Sequence, residues 1–204
     1  QVIKPLLLGL TELHELGVIH RDVKPGNLFQ GEDGIYRLGD LGLALYEGKK
    51  SETETGTIVG TVAYIAPEVV MSNLKADSSD DCYAAAHTII EVLTGEHMIK
   101  LLPRYNPLFG GGIKPVTKND LIDCGLPEGL AKPLLKAIHP DRELRYKSAK
   151  VFLKDLEDGR RHKKKKDSSV DDITKRLEGL KEKVGQVDES PKPIYVVTVF
   201  LLFS

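Results

Sequence analysis

The sequence contains little cysteine and almost no net charge, and each shortage excludes a class of protein. Two cysteines among 204 residues, Cys82 and Cys124, are too few for a disulfide scaffold and lack the partners that metal-ligand spacing requires. We therefore expect a reducing, cytoplasmic compartment. A formal net charge of -1 at pH 7 excludes a global field that would attract nucleic acid or coat an anionic membrane.

The first residues also lack any targeting signal. The chain opens with Gln1 inside an apolar stretch, with no charged leader, cleavage pattern or long hydrophobic span nearby. We expect the sequence to be part of something longer. Its 204 residues are enough for one domain with a tail, and no internal repeat is visible.

Apolar periodicity predicts a largely helical domain. A stripe at helical spacing runs to about Leu16, where Gly17 supplies a stop. The run "DCYAAAHTIIEVLTG" is apolar almost all round and closes at Gly95, which predicts a central buried helix. Further helices are predicted over residues 118–124, 129–138 and 148–157.

Two connecting segments differ from this helical pattern. From Asn27 to Leu43, short apolar pieces flank the turn "GEDG", which predicts a small antiparallel hairpin. From Tyr46 to Val59 the chain is rich in Thr, Ser, Glu and Gly, which predicts a long exposed loop. Loops of that length in a compact domain usually have a function.

One short span contains the groups that a phosphoryl transfer requires: a base, a cation and oxygen ligands for magnesium. Asp22 could accept or orient a hydroxyl proton, and Lys24 lies two residues later. Asn27 and Asp40 offer hard oxygen ligands from either side of the predicted hairpin. A salt-bridged surface loop explains any one of these residues alone, whereas their joint spacing favours the chemistry.

The order of three motifs resembles the motif set of the protein kinases. These motifs are "HRDVKPGN", "DLG" at residues 40–42, and "GTVAYIAPE" from Gly60 to Glu68. The resemblance extends from Gln1 to about Asp158 and implies a mainly α (α+β) fold. It implies the large C-terminal lobe of a kinase with a small β-hairpin, and the N-terminal lobe that grips ATP is absent from this chain.

The resemblance assigns a role to each residue of the span. It implies that Asp22 is the catalytic base, that Lys24 contacts the phosphate of ATP, and that Asn27 and Asp40 hold Mg²⁺. Thr61 would hydrogen-bond the base and the lysine. Lys24 and Thr61 are typical of the branch that acts on serine and threonine.

The resemblance also implies a structural framework. Asp81 would accept hydrogen bonds from the catalytic-loop backbone that follows His20, and Arg145 would pair with Glu68. Leu41 replaces the usual Phe of the magnesium motif, an apolar exchange that should preserve packing. The sequences of these motifs resemble those of bacterial kinases of eukaryotic type more than those of animal kinases.

The long polar loop is a predicted site of regulation. In kinases the arginine at the position of Arg21 docks a phosphate on this loop, and a guanidinium can grip such a phosphate bidentately. Thr53 and Thr55 lie where bacterial relatives are modified, and Thr57 lies where many eukaryotic ones are. The alternative is a loop that is merely polar.

These features predict a Ser/Thr protein kinase that transfers the γ-phosphate of Mg-ATP to proteins. The expected partners are a Ser/Thr-containing protein substrate and a kinase N-lobe, and no nucleic acid. The alternative is a non-catalytic binding or scaffold module. A permuted nucleotide loop at "FGGGIKP", near Lys114, lacks the strand and helix that it would need.

The composition changes after residue 158, so we divide the chain into a lobe over residues 1–158 and three tail segments. The composition of residues 159–169 predicts a basic linker. Residues 188–204 form an apolar tail whose hydrophobic run is about half as long as a helix that crosses a bilayer. A membrane anchor would follow only if that tail continues; otherwise it is a buried strand. The spacing of apolar residues over 170–187 predicts either a homodimeric coiled coil or an amphipathic helix that packs on the lobe itself. The seam residues are Val170, Ile173, Leu177, Leu180, Val184 and Val187.

Overall fold

The computed structural model describes residues 2–46, 64–72, 75, 77–102 and 115–167. Within them the chain forms helices α1 to α7, at Ile3–Glu15, Pro67–Ser72, Ser78–Thr94, Met98–Leu101, Lys118–Asp123, Glu128–Ala137 and Ala149–Asp167. Strands β1 to β4 are Val18–Ile19, Leu28–Gln30, Tyr36–Leu38 and Leu45–Tyr46. The prediction of a mainly helical domain with a small hairpin is confirmed.

Helix α1 follows from its apolar stripe. Leu6, Leu7 and Leu10 are completely buried, whereas Lys4, Leu8 and Glu12 are exposed. The helix ends before Gly17, whose φ of 69° is left-handed and is easy only for glycine. The chain then enters β1 and the motif "HRDVKPGN".

Helix α3 is the central element of the core. Every residue from Ser79 to Ile90 is buried. Asp77 starts the helix with a reciprocal capping box, in which its side chain accepts from the backbone of Ser79 and its own amide donates to Asp80. Gly95 ends the helix in a left-handed conformation, as predicted.

The described residues contain two antiparallel ladders. The predicted hairpin is present, with β2 paired to β3 in the register Leu28 to Leu38. Its turn closes at Gly34, where φ is 73°. A second ladder pairs β1 with β4, joining Val18 to Tyr46. The sequence did not predict this ladder, because two-residue strands are too short to show alternation.

The C-terminal helix is longer than the sequence predicted. Phe152 and Leu156 of α7 lie fully in the core with α1, α3 and α6. The helix then continues through the segment predicted as a basic linker and ends at Asp167. Arginine and lysine have high helix propensity, which favours this continuation.

The tail predictions fall beyond α7. The chain divides into two compact units, Gln1–Lys164 and Lys165–Ser204, and the second is described only to Asp167. The predicted segments 170–187 and 188–204 lie outside the described residues. In the part of the chain that is described, no helix is long and apolar enough to span a bilayer.

Candidate active site

Asp22 lies in the loop between β1 and β2, with 8% of its surface exposed. Lys24 Nζ lies 2.7 Å from its Oδ2, and Asn27 Nδ2 lies 2.9 Å from the same oxygen. Asn27 also donates to the Asp22 backbone carbonyl at 2.8 Å. Two side chains therefore hold this carboxylate in one orientation.

Gly39, the residue directly before Asp40, contacts the same loop. The amide of Gly39 donates to the Asn27 carbonyl at 3.0 Å, and His20 Nε2 lies 3.1 Å from the Gly39 carbonyl oxygen. Asp40 follows directly, exposed and with a φ of 66°. Its Oδ1 accepts from the Gly42 amide at 3.2 Å. Gly39 is thus bonded to both Asn27 and His20, and Asp40 is the next residue along the chain.

The oxygen donors here suit a magnesium–nucleotide complex. The Asn27 side-chain oxygen accepts no hydrogen bond from the described residues, since its amide nitrogen makes both contacts to Asp22. Within the described ranges, no three His, Cys, Asp or Glu side chains form a metal cluster. Mg²⁺ commonly takes one or two protein oxygens and completes its shell with phosphate oxygens and water. Asn27 and Asp40 fit that requirement.

Asp81 of α3 holds the loop before Asp22 by hydrogen bonds to its backbone. Its carboxylate is 1% exposed and accepts from the amides of His20 at 2.8 Å and Arg21 at 2.9 Å. Arg21 has a left-handed φ of 68°. Burial lowers the pKa of the Arg21 guanidinium, and the carboxylates of Asp81 and Asp80 partly offset that effect.

Arg145 and Glu68 are in contact, as the resemblance implies. The fully buried guanidinium makes a bidentate pair with the carboxylate at 2.6 and 2.8 Å, and it also donates to the His139 carbonyl. A second arginine, Arg142, lies 3.5 Å from Glu68 and bonds Asp80 at 2.5 Å. Sequence reasoning missed Arg142, because its position shows no periodicity or motif.

Two further contacts were also missed. The Tyr64 hydroxyl donates to Glu91 at 2.6 Å, and burial is the main cause that raises the pKa of this phenol. His14 of α1 bonds Asp81 at 2.9 Å. The sequence could have indicated that His14 faces the core, because it lies one helical turn after the buried Leu10.

The threonines assigned from the sequence lie outside the described residues. These are Thr61 near the base and the loop acceptors Thr53, Thr55 and Thr57. Lys114 of the glycine run lies outside them too. Their roles stay predictions.

Comparison with known proteins gives one family. Residues 1–105 match the protein kinase domain. The chain is similar to serine/threonine-protein kinase PknL of Mycobacterium tuberculosis, with 43% identity over 94 residues, 46% of this chain and 23% of PknL. It is similar to the probable serine/threonine-protein kinase PknB of Bifidobacterium longum, with 30% identity over 167 residues, 76% of this chain and 23% of that protein.

A plant protein is also similar. The lectin-domain containing receptor kinase VI.3 of Arabidopsis thaliana is 39% identical over 98 residues, 47% of this chain and 14% of that protein. The chain spans about a quarter of the length of the bacterial relatives that it matches.

Proposed function

Because this chain belongs to the protein kinase family, we propose that it transfers the γ-phosphate of Mg-ATP to serine and threonine hydroxyls of proteins. The observation that supports this most is the arrangement around Asp22. Lys24 and Asn27 both bind its carboxylate, and the amide of Gly39, the residue directly before Asp40, donates to the Asn27 carbonyl. A merely structural loop has no need of this combination.

The proposal gives each of these side chains a task. Asp22 orients the substrate hydroxyl and accepts its proton as the oxygen attacks the γ-phosphorus of ATP, whose bond to the bridging oxygen breaks and releases ADP. Lys24 places an ammonium beside the base, where it can neutralise charge on the transferring group. Asn27 and Asp40 would hold the magnesium ion. Mg-ATP, when bound, supplies the phosphoryl group and the cation that screens its oxygens.

The choice of serine and threonine rests on Lys24 and on the relatives. Lysine two residues after the base is typical of the Ser/Thr branch. The two bacterial relatives are named as serine/threonine-protein kinases. Both features support the same substrate class for this chain.

Replacing Asp22 by Asn tests the proposal. The amide oxygen can still accept from Lys24, but the side chain can no longer take up a proton, so we expect transfer to fall by about 100-fold or more. The measurement is radiolabel transfer from Mg-ATP to a Ser/Thr protein by the protein in the form that its gene encodes. Asp33→Asn is the control, since Asp33 is an exposed carboxylate in the hairpin turn. Undiminished transfer by Asp22→Asn would refute the role of the base, and no transfer by the wild type would favour the scaffold alternative.

We also propose regulation by phosphorylation of the loop that contains Thr53, Thr55 and Thr57. The support is Arg21, a partly buried cation directly before the base that can pair with a loop phosphate. Mass spectrometry of the active protein should find phosphate on at least one of these threonines. Full activity in protein without any phosphate there would contradict the proposal.

A further inference from the structure

We propose that the rings of Tyr64, Tyr83, His87 and His97, which we call the ring cluster, form an acid-sensitive contact that holds Tyr64 against α3. The contact requires a neutral His97, and uptake of one proton by that ring would open it. This structural change does not depend on the proposed function. Its consequence for phosphoryl transfer does rest on the proposed function.

The ring cluster connects the segment before α2 to the core helix α3. The rings of Tyr64 and His97 meet nearly at a right angle, with centroids 5.1 Å apart. His97 in turn lies 6.0 Å from His87, and His87 lies 4.6 Å from Tyr83. Tyr83 and His87 are completely buried. A continuous row of rings therefore runs from Tyr64 into the core.

A hydrogen bond fixes the protonation state of His97. Its Nδ1 accepts from the Ile99 amide at 3.2 Å. A ring nitrogen accepts a hydrogen bond only when it carries no proton, so the neutral ring has its proton on Nε2. Nε2 is buried and has no hydrogen-bond partner in the described structure. A second proton would therefore break the bond to Ile99 and place a charge against aromatic surface.

The carboxylates around His97 are engaged elsewhere. Glu91 of α3 accepts from the Tyr64 hydroxyl at 2.6 Å. Glu96, directly before His97, pairs with Lys100 at 3.0 Å. In the part of the chain that is described, neither carboxylate forms an ion pair with His97. A proton on the ring thus gains no counter-ion in this arrangement.

The neighbouring imidazole cannot take a share of the charge. Burial lowers the pKa of His87 to about 3, and the charges of His97 and Arg145 lower it further. The Arg145 guanidinium lies over the Tyr83 ring, 4.6 Å from its centroid. Positive charge is therefore already present at the α3 end of the ring cluster. A protonated His97 would be repelled from it, so we expect the ring to leave the cluster.

Displacement of His97 affects two neighbouring elements. Helix α4 has four residues, so loss of the bond to Ile99 removes a large part of what starts it. The Tyr64 ring loses an aromatic neighbour four residues before Glu68, in "GTVAYIAPE". Under the proposed function this segment joins the regulated loop to α2. We therefore expect acid to lower transfer through this contact.

Two substitutions of His97 separate its titration from its hydrogen bond. Asparagine offers the same kind of acceptor to the Ile99 amide and does not titrate, whereas alanine has no acceptor at any pH. The control is His139→Asn. His139 Nδ1 accepts from the Asp141 amide at 3.0 Å, which is the same contact between a ring and the amide two residues later.

Amide hydrogen exchange of Ile99 in the 204-residue chain measures the contact. Rates are corrected for the intrinsic effect of pH and divided by those of core amides of α6. We expect this ratio to rise about fivefold in the wild type from about pH 7.5 to about pH 5, the range in which histidine ordinarily titrates. His97→Asn should change by less than about twofold, His97→Ala should be fast at both pH values, and His139→Asn should follow the wild type. A full rise in His97→Asn would overturn the proposal.

Nuclear magnetic resonance of the wild type gives a test that needs no variant. The ring nitrogens of His97 and the amide of Ile99 should shift with pH at one common midpoint, because the same proton breaks the bond between them. An Ile99 amide that does not follow the titration of the His97 ring would contradict the proposal.

Kinetics of the gene's full product test the consequence for transfer. Other groups also titrate, so the quantity to compare is the ratio of wild-type activity to His97→Asn activity. We expect this ratio to fall by about twofold or more from about pH 7.5 to about pH 5, since only the wild type loses the contact. A constant ratio would refute the link to transfer. If the wild type transfers no phosphate at any pH, the proposed function fails, and the exchange experiment still decides what His97 does.

Discussion

Asp22 and Asp81 show how two buried aspartates acquire different tasks from their neighbours. Asp22 contacts the side chains of Lys24 and Asn27 in the loop between β1 and β2, with 8% of its surface exposed. Asp81 contacts backbone amides and His14 inside the core, with 1% of its surface exposed. The first is suited to accept a proton, and the second to hold a strained loop.

His87 gives a prediction about pH at the same scale. Burial lowers its pKa to about 3, from an ordinary value of 6.5, so the folded protein keeps it neutral where the unfolded chain takes up a proton. Its contribution to stability is therefore complete above about pH 6.5 and is lost as the pH falls toward 3. We expect a slope of up to about 1.4 kcal/mol per pH unit in that window.

Urea unfolding of wild type and His87→Met between these pH values measures that slope. The variant has no group that titrates at this position, so the stability difference between the two proteins should change with pH in the acidic window and level off above it. Parallel pH profiles for the two proteins would show that His87 titrates normally in the folded state.

At the scale of elements, α6 and α7 meet backbone to backbone. A Cβ added to Gly129 would collide with the Gly159 carbonyl oxygen, and a Cβ added to Gly159 would collide with the Gly129 carbonyl oxygen. Both glycines lie within helices, where glycine costs stability relative to alanine. The close approach of the two helices explains why they are there, and it extends the docking of α7 beyond Leu156.

Alanine should have opposite effects at Gly159, which lies in this contact, and at Gly9, which does not. Gly159→Ala should lower the free energy of unfolding by about 1–3 kcal/mol, because the backbones must separate. Gly9→Ala in α1 should raise it by about 0.5–1 kcal/mol, since its Cβ would meet only Leu38 Cβ at an ordinary 3.6 Å. Chemical denaturation measures both. A stabilising Gly159→Ala would show that α6 and α7 do not approach so closely.

At the scale of the whole molecule, the tail after α7 remains a proposal. Residues 170–187 have apolar positions at alternating spacings of three and four, which favours a coiled-coil dimer. Helix α7 reaches Asp167 and contributes Phe152 and Leu156 to the core. A test of the tail should therefore retain α7 up to Asp167, so that the shortened chain keeps the whole helix.

Sedimentation equilibrium of the full chain and of a version ending at Asp167 tests this proposal. We expect the full chain to show a concentration-dependent dimer and the shortened version to be a monomer, because only the former has the seam. A second comparison, Leu177→Asp in the full chain, places a charge on the seam and should also give a monomer. A monomer in all three would leave the amphipathic helix as the better reading of residues 170–187.

Elements that depend on neighbouring residues could be predicted from the sequence alone. The stripe of α1, the glycine stops at Gly17 and Gly95 and the turn of the hairpin are local, so periodicity and turn chemistry predicted them. Asp22, Lys24 and Asn27 lie within six residues, and their grouping was visible for the same reason. The partners of Asp81 and Arg145 were available only through the resemblance to kinases.

Contacts between distant residues, in contrast, became visible once the helices and strands were packed together. His14 lies 67 positions from Asp81, Arg145 lies 77 from Glu68, and β1 pairs with β4 across the catalytic loop and hairpin. Such contacts have no period along the chain, because they arise when helices and strands pack and bury their apolar faces together. That packing turns a local group of acidic and basic residues into an oriented site.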